Sequence, residues 1–142
     1  MSKKRDKFRL ATVLRVAKLE EESQQRKTAA ANREREAAQD EEKARAEAYA
    51  QRDELGGPTD AAAFQQQTIT SSLRAGALHS AQQSTVDAHE RLELAREDLM
   101  ARVRKTRTLE DLEERHNIAV AVYAARAAQR GLDDLVRFRR TH

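Results

Sequence analysis

Four histidines, His79, His89, His116 and His142, are the residues of this 142-residue chain best suited to bind a metal or relay a proton. Two imidazoles on one helix share a metal when they stand four residues apart and so point the same way. No pair here has that spacing, so positions on a helix surface or at the edge of a helix–helix seam account for them better. The 24 carboxylates include runs such as Glu20-Glu21-Glu22 and Glu113-Glu114. A general acid or base needs a pocket to shift its pKa, whereas runs beside arginine and lysine are solvated helix faces. Ser71, Ser72 and Ser80 lack the arrangement that marks an activated nucleophile. Gly56-Gly57-Pro58 is not followed by the Lys-Ser/Thr of a phosphate-binding loop. The chain has no cysteine, which removes thiolate metal sites and disulfides and suits a reducing cytoplasm. No catalytic, metal or cofactor site is expected, and the chain reads as non-enzymatic.

The chemistry that remains is recognition. Lys3, Lys4, Arg5, Lys7 and Arg9 crowd one end of the sequence, and Arg137, Arg139 and Arg140 the other. They fit either a basic binding tip or simple solvation, because arginine at a helix C-terminus is favoured by the helix dipole. A basic tip would take an acidic protein collar or nucleic acid. The net charge of only +3 argues against a dedicated nucleic-acid binder, which concentrates basic residues on one face. Tyr49, Phe64, Ile69 and Leu73 form a second group, able to pack a bend or to present a docking surface.

Long helices must position these residues. Charged residues make up 36% of the chain and aromatics 4%, with four glycines and one proline, a composition of long helices or coiled coil. Full disorder is the rival reading for so polar a chain, but helix formers abound and the breakers cluster at one place. Residues 7–22 carry Phe8, Leu10, Val13, Leu14, Val16 and Leu19 on one side of a helix. From residue 20 to residue 48 no large apolar residue occurs. Leu55-Gly56-Gly57-Pro58-Thr59-Asp60 is the strong punctuation, with Thr59 or Asp60 able to cap the next helix.

The expected fold is all-α: one domain, residues 1–142, forming an elongated antiparallel two-helix coiled-coil hairpin that stays monomeric. The first helix covers about 3–55 and the second about 79–139. Residues 56–78 form a turn and short helix, or the start of the long helix with a weak point at Gly76. The second helix's stripe passes through Val86, Leu92, Leu99, Val103, Leu109 and Leu112, with irregular steps. Two registers fit. One lays residues 118–138 over residues 8–19, with Leu14 near Val122 and residues 59–78 surplus at the tip. The other turns tightly at Gly56-Gly57-Pro58 and leaves the last thirty residues unpaired. The first is preferred, because the second exposes the most apolar run to water. That run, residues 118–125, is too short to span a bilayer, which takes about 20 residues, and the N-terminus lacks the pattern of a signal peptide.

The order and spacing of several blocks resemble the flagellar export protein FliJ family. They are Lys7-Phe8-Arg9-Leu10, Val13-Leu14, Glu20-Glu21-Glu22, residues 102–107, Leu109-Glu110-Asp111-Leu112-Glu113-Glu114-Arg115, Leu132-Asp133-Asp134-Leu135, Arg137 and Arg139-Arg140. The resemblance implies an antiparallel hairpin similar to a rotary ATPase central stalk, in the cytoplasmic part of the flagellar type III export apparatus, peripheral to the membrane. It implies binding to the export ATPase and its regulator through Phe8, Arg9, Leu10, Leu14, Leu135, Arg137, Arg139 and Arg140. It also implies binding to the cytoplasmic domain of the export gate through Tyr49, Ile69 and Leu73, and escort of substrates or their chaperones. An injectisome stalk, a generic coiled-coil scaffold and a nucleic-acid binder are the alternatives.

Overall fold

The computed structural model describes residues 7–51 and 57–142. Lys3, Lys4, Arg5, Leu55 and Gly56 therefore lie outside the described residues. Two helices make up the fold: α1 (Ala11–Ala50) and α2 (Ala61–Thr141). Both are built from alanine, glutamate, glutamine, arginine and leucine, whose side chains lose little rotamer freedom in a helix. α1 begins at Ala11 rather than near residue 3. Residues 7–10 form a turn in which the Ala11 amide donates to the Phe8 carbonyl at 3.2 Å. α2 begins where the sequence supplies a cap. The Ala63 amide donates to Asp60 Oδ1 at 2.7 Å, satisfying one of the free N–H groups of the first turn. Residues 61–78 are the opening turns of α2, and Gly76 sits inside the helix.

The chain divides into two units. In the unit drawn from Ser23–Met100, α1 and α2 run antiparallel. Gln24 Nε2 donates to the Ala95 carbonyl at 3.2 Å, the Thr85 hydroxyl reaches the Ala38 carbonyl at 3.2 Å, and Arg74 Nη1 reaches the Ala48 carbonyl at 3.3 Å. Side chains as short as threonine bond across only when the two backbones run close together. Alanine allows that approach, and Ala81, Ala88 and Leu92 are buried here. A stripe of half-buried and buried positions of α2 in this unit runs through Gln67, Ser71, Arg74, Leu78, Ala81, Thr85, Ala88, Leu92, Ala95 and Leu99, with Ala63 and Ala77 half-buried besides. Steps of four and three alternate without a fault, as a coiled coil requires. On α1 the same alternation runs through Gln24, Thr28, Ala31, Arg35, Ala38 and Glu42.

The other unit joins the described part of Met1–Glu22 to Ala101–His142. Its core is Leu14, Ala17 and Leu109. Arg102 Nη1 donates to Glu20 Oε2 at 3.0 Å, and Lys18 stands 3.9 Å from Glu110. The α2 stripe continues as Arg102, Thr106, Leu109, Glu113, His116 and Val120 in the same alternation.

The two-helix antiparallel coiled coil expected from the sequence is thus present, but the preferred register is corrected. Leu14 lies with Leu109, not with Val122, a shift of 13 residues along α2. The stripe also differs from the expected one: Leu92, Leu99 and Leu109 belong to it, whereas Val86 and Leu112 are exposed. The physical reason is that small and bonded polar side chains set the distance between the helices. Moving Leu14 to Val122 would shift every one of those bonds off its carbonyl. Every residue from 121 to 142 is exposed.

Candidate functional site

The residues expected to form the terminal site are spread along the unit that holds Ala101–His142 rather than gathered at one level. Phe8 is half-buried, with its ring centroid 5.7 Å from that of His116 and the planes tilted by 44°. Arg9 and Leu10 are exposed beside it, while Leu14 is buried on Leu109. Leu135 stands 19 residues beyond His116 on α2, about 28 Å at the helical rise of 1.5 Å per residue. It is exposed, as are Arg137, Arg139 and Arg140. The last turns hold together locally: Phe138 stacks edge-on against His142 at 4.7 Å, and the Thr141 hydroxyl donates to the Arg137 carbonyl at 3.2 Å. Arginine in the last turn also complements the negative end of the helix dipole.

The second group lies in the unit of Ser23–Met100. Ile69 and Leu73 are exposed one turn apart on a single face of α2. Tyr49 is half-buried on α1, next to the Ala48 carbonyl that accepts from Arg74. The three are therefore near one level of the helix pair, but only Ile69 and Leu73 are open to a partner. Phe64, also exposed, occupies the turn before them.

His79, His89 and His142 are exposed, and His116 is half-buried against Phe8. Among the described residues no group of three or more His, Asp or Glu side chains could hold a metal ion. None of the described helices is long and apolar enough to cross a membrane.

Sequence reasoning missed one surface. From Ile118 onward the aliphatic residues Ile118, Val122, Leu132 and Val136 lie on the face opposite the seam, and all four are exposed. The signal was available: these residues step by three and four, two positions out of phase with Leu109, His116 and Val120.

Comparison with known proteins now bears on the same stretches. Among curated proteins and solved structures nothing matches the chain. A family model described as "Flagellar FliJ protein" matches residues 6–141, nearly the whole length, including both terminal stretches. With its two antiparallel coiled-coil helices, the chain belongs to the FliJ family, a flagellar export-associated coiled-coil protein.

Proposed function

We propose that the protein is a non-enzymatic, monomeric coupling element of the flagellar export apparatus, working on the cytoplasmic side at the flagellar base. It binds the export ATPase and its regulator through its terminal stretches. Phe8, Arg9 and Leu10 contact the ring at one level of the helix pair, and Leu135, Arg137, Arg139 and Arg140 contact it further along α2. Leu14, buried on Leu109, holds the pair in register for that contact. Ile69 and Leu73, with Tyr49 behind them, receive the cytoplasmic domain of the export gate, and the same position serves the escort of substrates and chaperones.

The observation that carries this reading is the exposure of all 22 residues from 121 to 142 on a continuous helix, α2. The hairpin leaves this end unused, so it is available to a partner. Native mass measurement with the export ATPase tests the reading. Complex formation should fall at least about tenfold when Arg137, Arg139 and Arg140 are changed to Glu, because three desolvated charges are reversed. A pull-down with the gate domain should weaken with Ile69→Asp and Leu73→Asp and not with the arginine variant. No complex at micromolar concentration, or variants that bind as well as the parent, would defeat it.

A further inference from the structure

From Val120 onward α2 changes which face is apolar. The seam positions Leu109, Glu113, His116 and Val120 are buried or half-buried, Leu109 on Leu14 and His116 beside Phe8. Ile118 follows His116 by two residues, a rotation of about 200° at 3.6 residues per turn. Ile118, Val122, Ala125, Gln129, Leu132 and Val136 then repeat in steps of four and three along that outward face. All six are exposed. This is a second coiled-coil seam, back to back with the first and without a partner in the chain's described residues. Gln129 interrupts it once, and its Nε2 donates to Asp133 Oδ1 at 3.2 Å. A single polar residue within an apolar seam fixes the register of a partner helix.

We infer that this outward seam docks an amphipathic helix of another protein whose flanks are acidic. The inference rests on the reading that the C-terminal end of α2 is a docking end, and it names the chemistry of what docks. Charge selects the occupant. Residues 121–142 contain five arginines and two aspartates. Arg126, Asp133 and Arg140 fall in one column directly beside the stripe, and Arg130 and Arg137 one column further on the same side, so this edge carries four arginines and one aspartate. The other side is Ala121, Ala128 and Leu135, and Arg139 closes the stripe at its next position after Val136. A partner helix with glutamates or aspartates along one edge neutralises the arginine edge and lays its small side against the alanines.

Two other occupants fit less well. A second copy in the antiparallel register that aligns the whole stripe has its two-fold axis near residue 127. That register sets Arg126 against Arg126 of the copy, a like-charge pair at the centre. A membrane surface favours a helix with aromatic residues on its apolar face. Here Tyr123 and Phe138 are rotated off the stripe, by about 140° from Ile118 and 200° from Val136 at 3.6 residues per turn.

The test uses the full chain and a designed probe. The probe is a peptide of about three heptads, apolar at its seam and glutamate at its flanks, monomeric through its own charge repulsion. A matched peptide carries lysine in place of glutamate. Titration calorimetry should show the acidic peptide binding at least about tenfold more tightly than the basic one, with the difference shrinking as salt rises. Val122→Asp and Leu132→Asp should each weaken binding about tenfold or more, while Ala127→Asp, on the seam side of α2, should not. Circular dichroism of each variant separates lost helix from lost contact. Equal binding of both peptides, or no binding, overturns the inference. Two findings would also overturn it: a dimer in sedimentation that Leu132→Asp dissolves, or stripe-dependent pelleting with vesicles of about 30% anionic lipid when the acidic peptide is not bound. If the ATPase binds through Arg137, Arg139 and Arg140 while the stripe variants change nothing, the docking end stands and the acidic helix falls.

Discussion

Leu14 and Leu109 are buried in one cluster with Ala17, and this cluster sets the level at which the N-terminal turns of α1 meet α2. Val122, which hydrophobicity alone would place opposite Leu14, is 43% exposed.

A charge placed at each site separates the two registers. Leu14→Asp and Leu109→Asp should each cost about 3 kcal/mol, because an aspartate enters a closed seam without a partner. Val122→Asp should change stability by no more than about 0.5 kcal/mol. Denaturant unfolding followed by circular dichroism measures all three, and a large loss at Val122 would restore the longer overlap.

The two threonines of the α2 seam should respond in opposite ways to the same substitution. The Thr85 hydroxyl reaches the Ala38 carbonyl across the pair at 3.2 Å, so Thr85→Val should destabilise by about 1 kcal/mol. Thr106 is more enclosed than the half-buried Thr85, and its Oγ1 is buried without a hydrogen-bond partner. Thr106→Val removes that unsatisfied group at nearly constant shape and should be neutral or stabilising by up to about 1 kcal/mol. Thermal melts of the two variants, run side by side, check the contrast.

Gly76 tests whether the helix is continuous. It lies within α2, and a methyl group added there meets nothing within 4 Å. Gly76→Ala should therefore stabilise by about 0.5–1 kcal/mol through helix propensity and loss of freedom in the unfolded chain. A bend at this position would make the same change neutral or harmful in a urea titration.

Glu20 faces Arg102 at 3.0 Å and Lys105 at 3.9 Å, with side chains 40–57% exposed. Pairs this wet are worth little. A double-mutant cycle between Glu20 and Arg102 should give a coupling below about 1 kcal/mol that fades in about 1 M salt. A larger, salt-resistant coupling would mean that the pair is shielded from water by something that the folded chain alone does not supply.

The helical content, the Asp60 cap and the antiparallel pairing were legible in the sequence because each rests on local rules of propensity, capping and punctuation. The register was not. Reading by hydrophobicity joined the two most apolar stretches, 8–19 and 118–138, and passed over the threonine and glutamine positions between them. Those residues carry little transfer free energy, yet they fall on the strict steps of three and four, and Gln24, Thr28 and Thr85 each find a carbonyl across the pair. Burial of a hydroxyl or amide costs little once it is bonded, so the helices approach where side chains are small rather than where they are greasy. The apolar residues of 118–136 then have no place in that seam. Their exposure, counted against the shorter register, belongs instead to a face directed away from α1.

The run of α2 beyond Val120 has a further consequence for how such a chain can change. The buried and half-buried positions of α2 end at Val120, and every residue from 121 to 142 is exposed. A substitution among the outward side chains of 121–142 therefore leaves the fold's stability almost untouched, and the surface chemistry of this end can drift or be redesigned independently of the scaffold that holds it up.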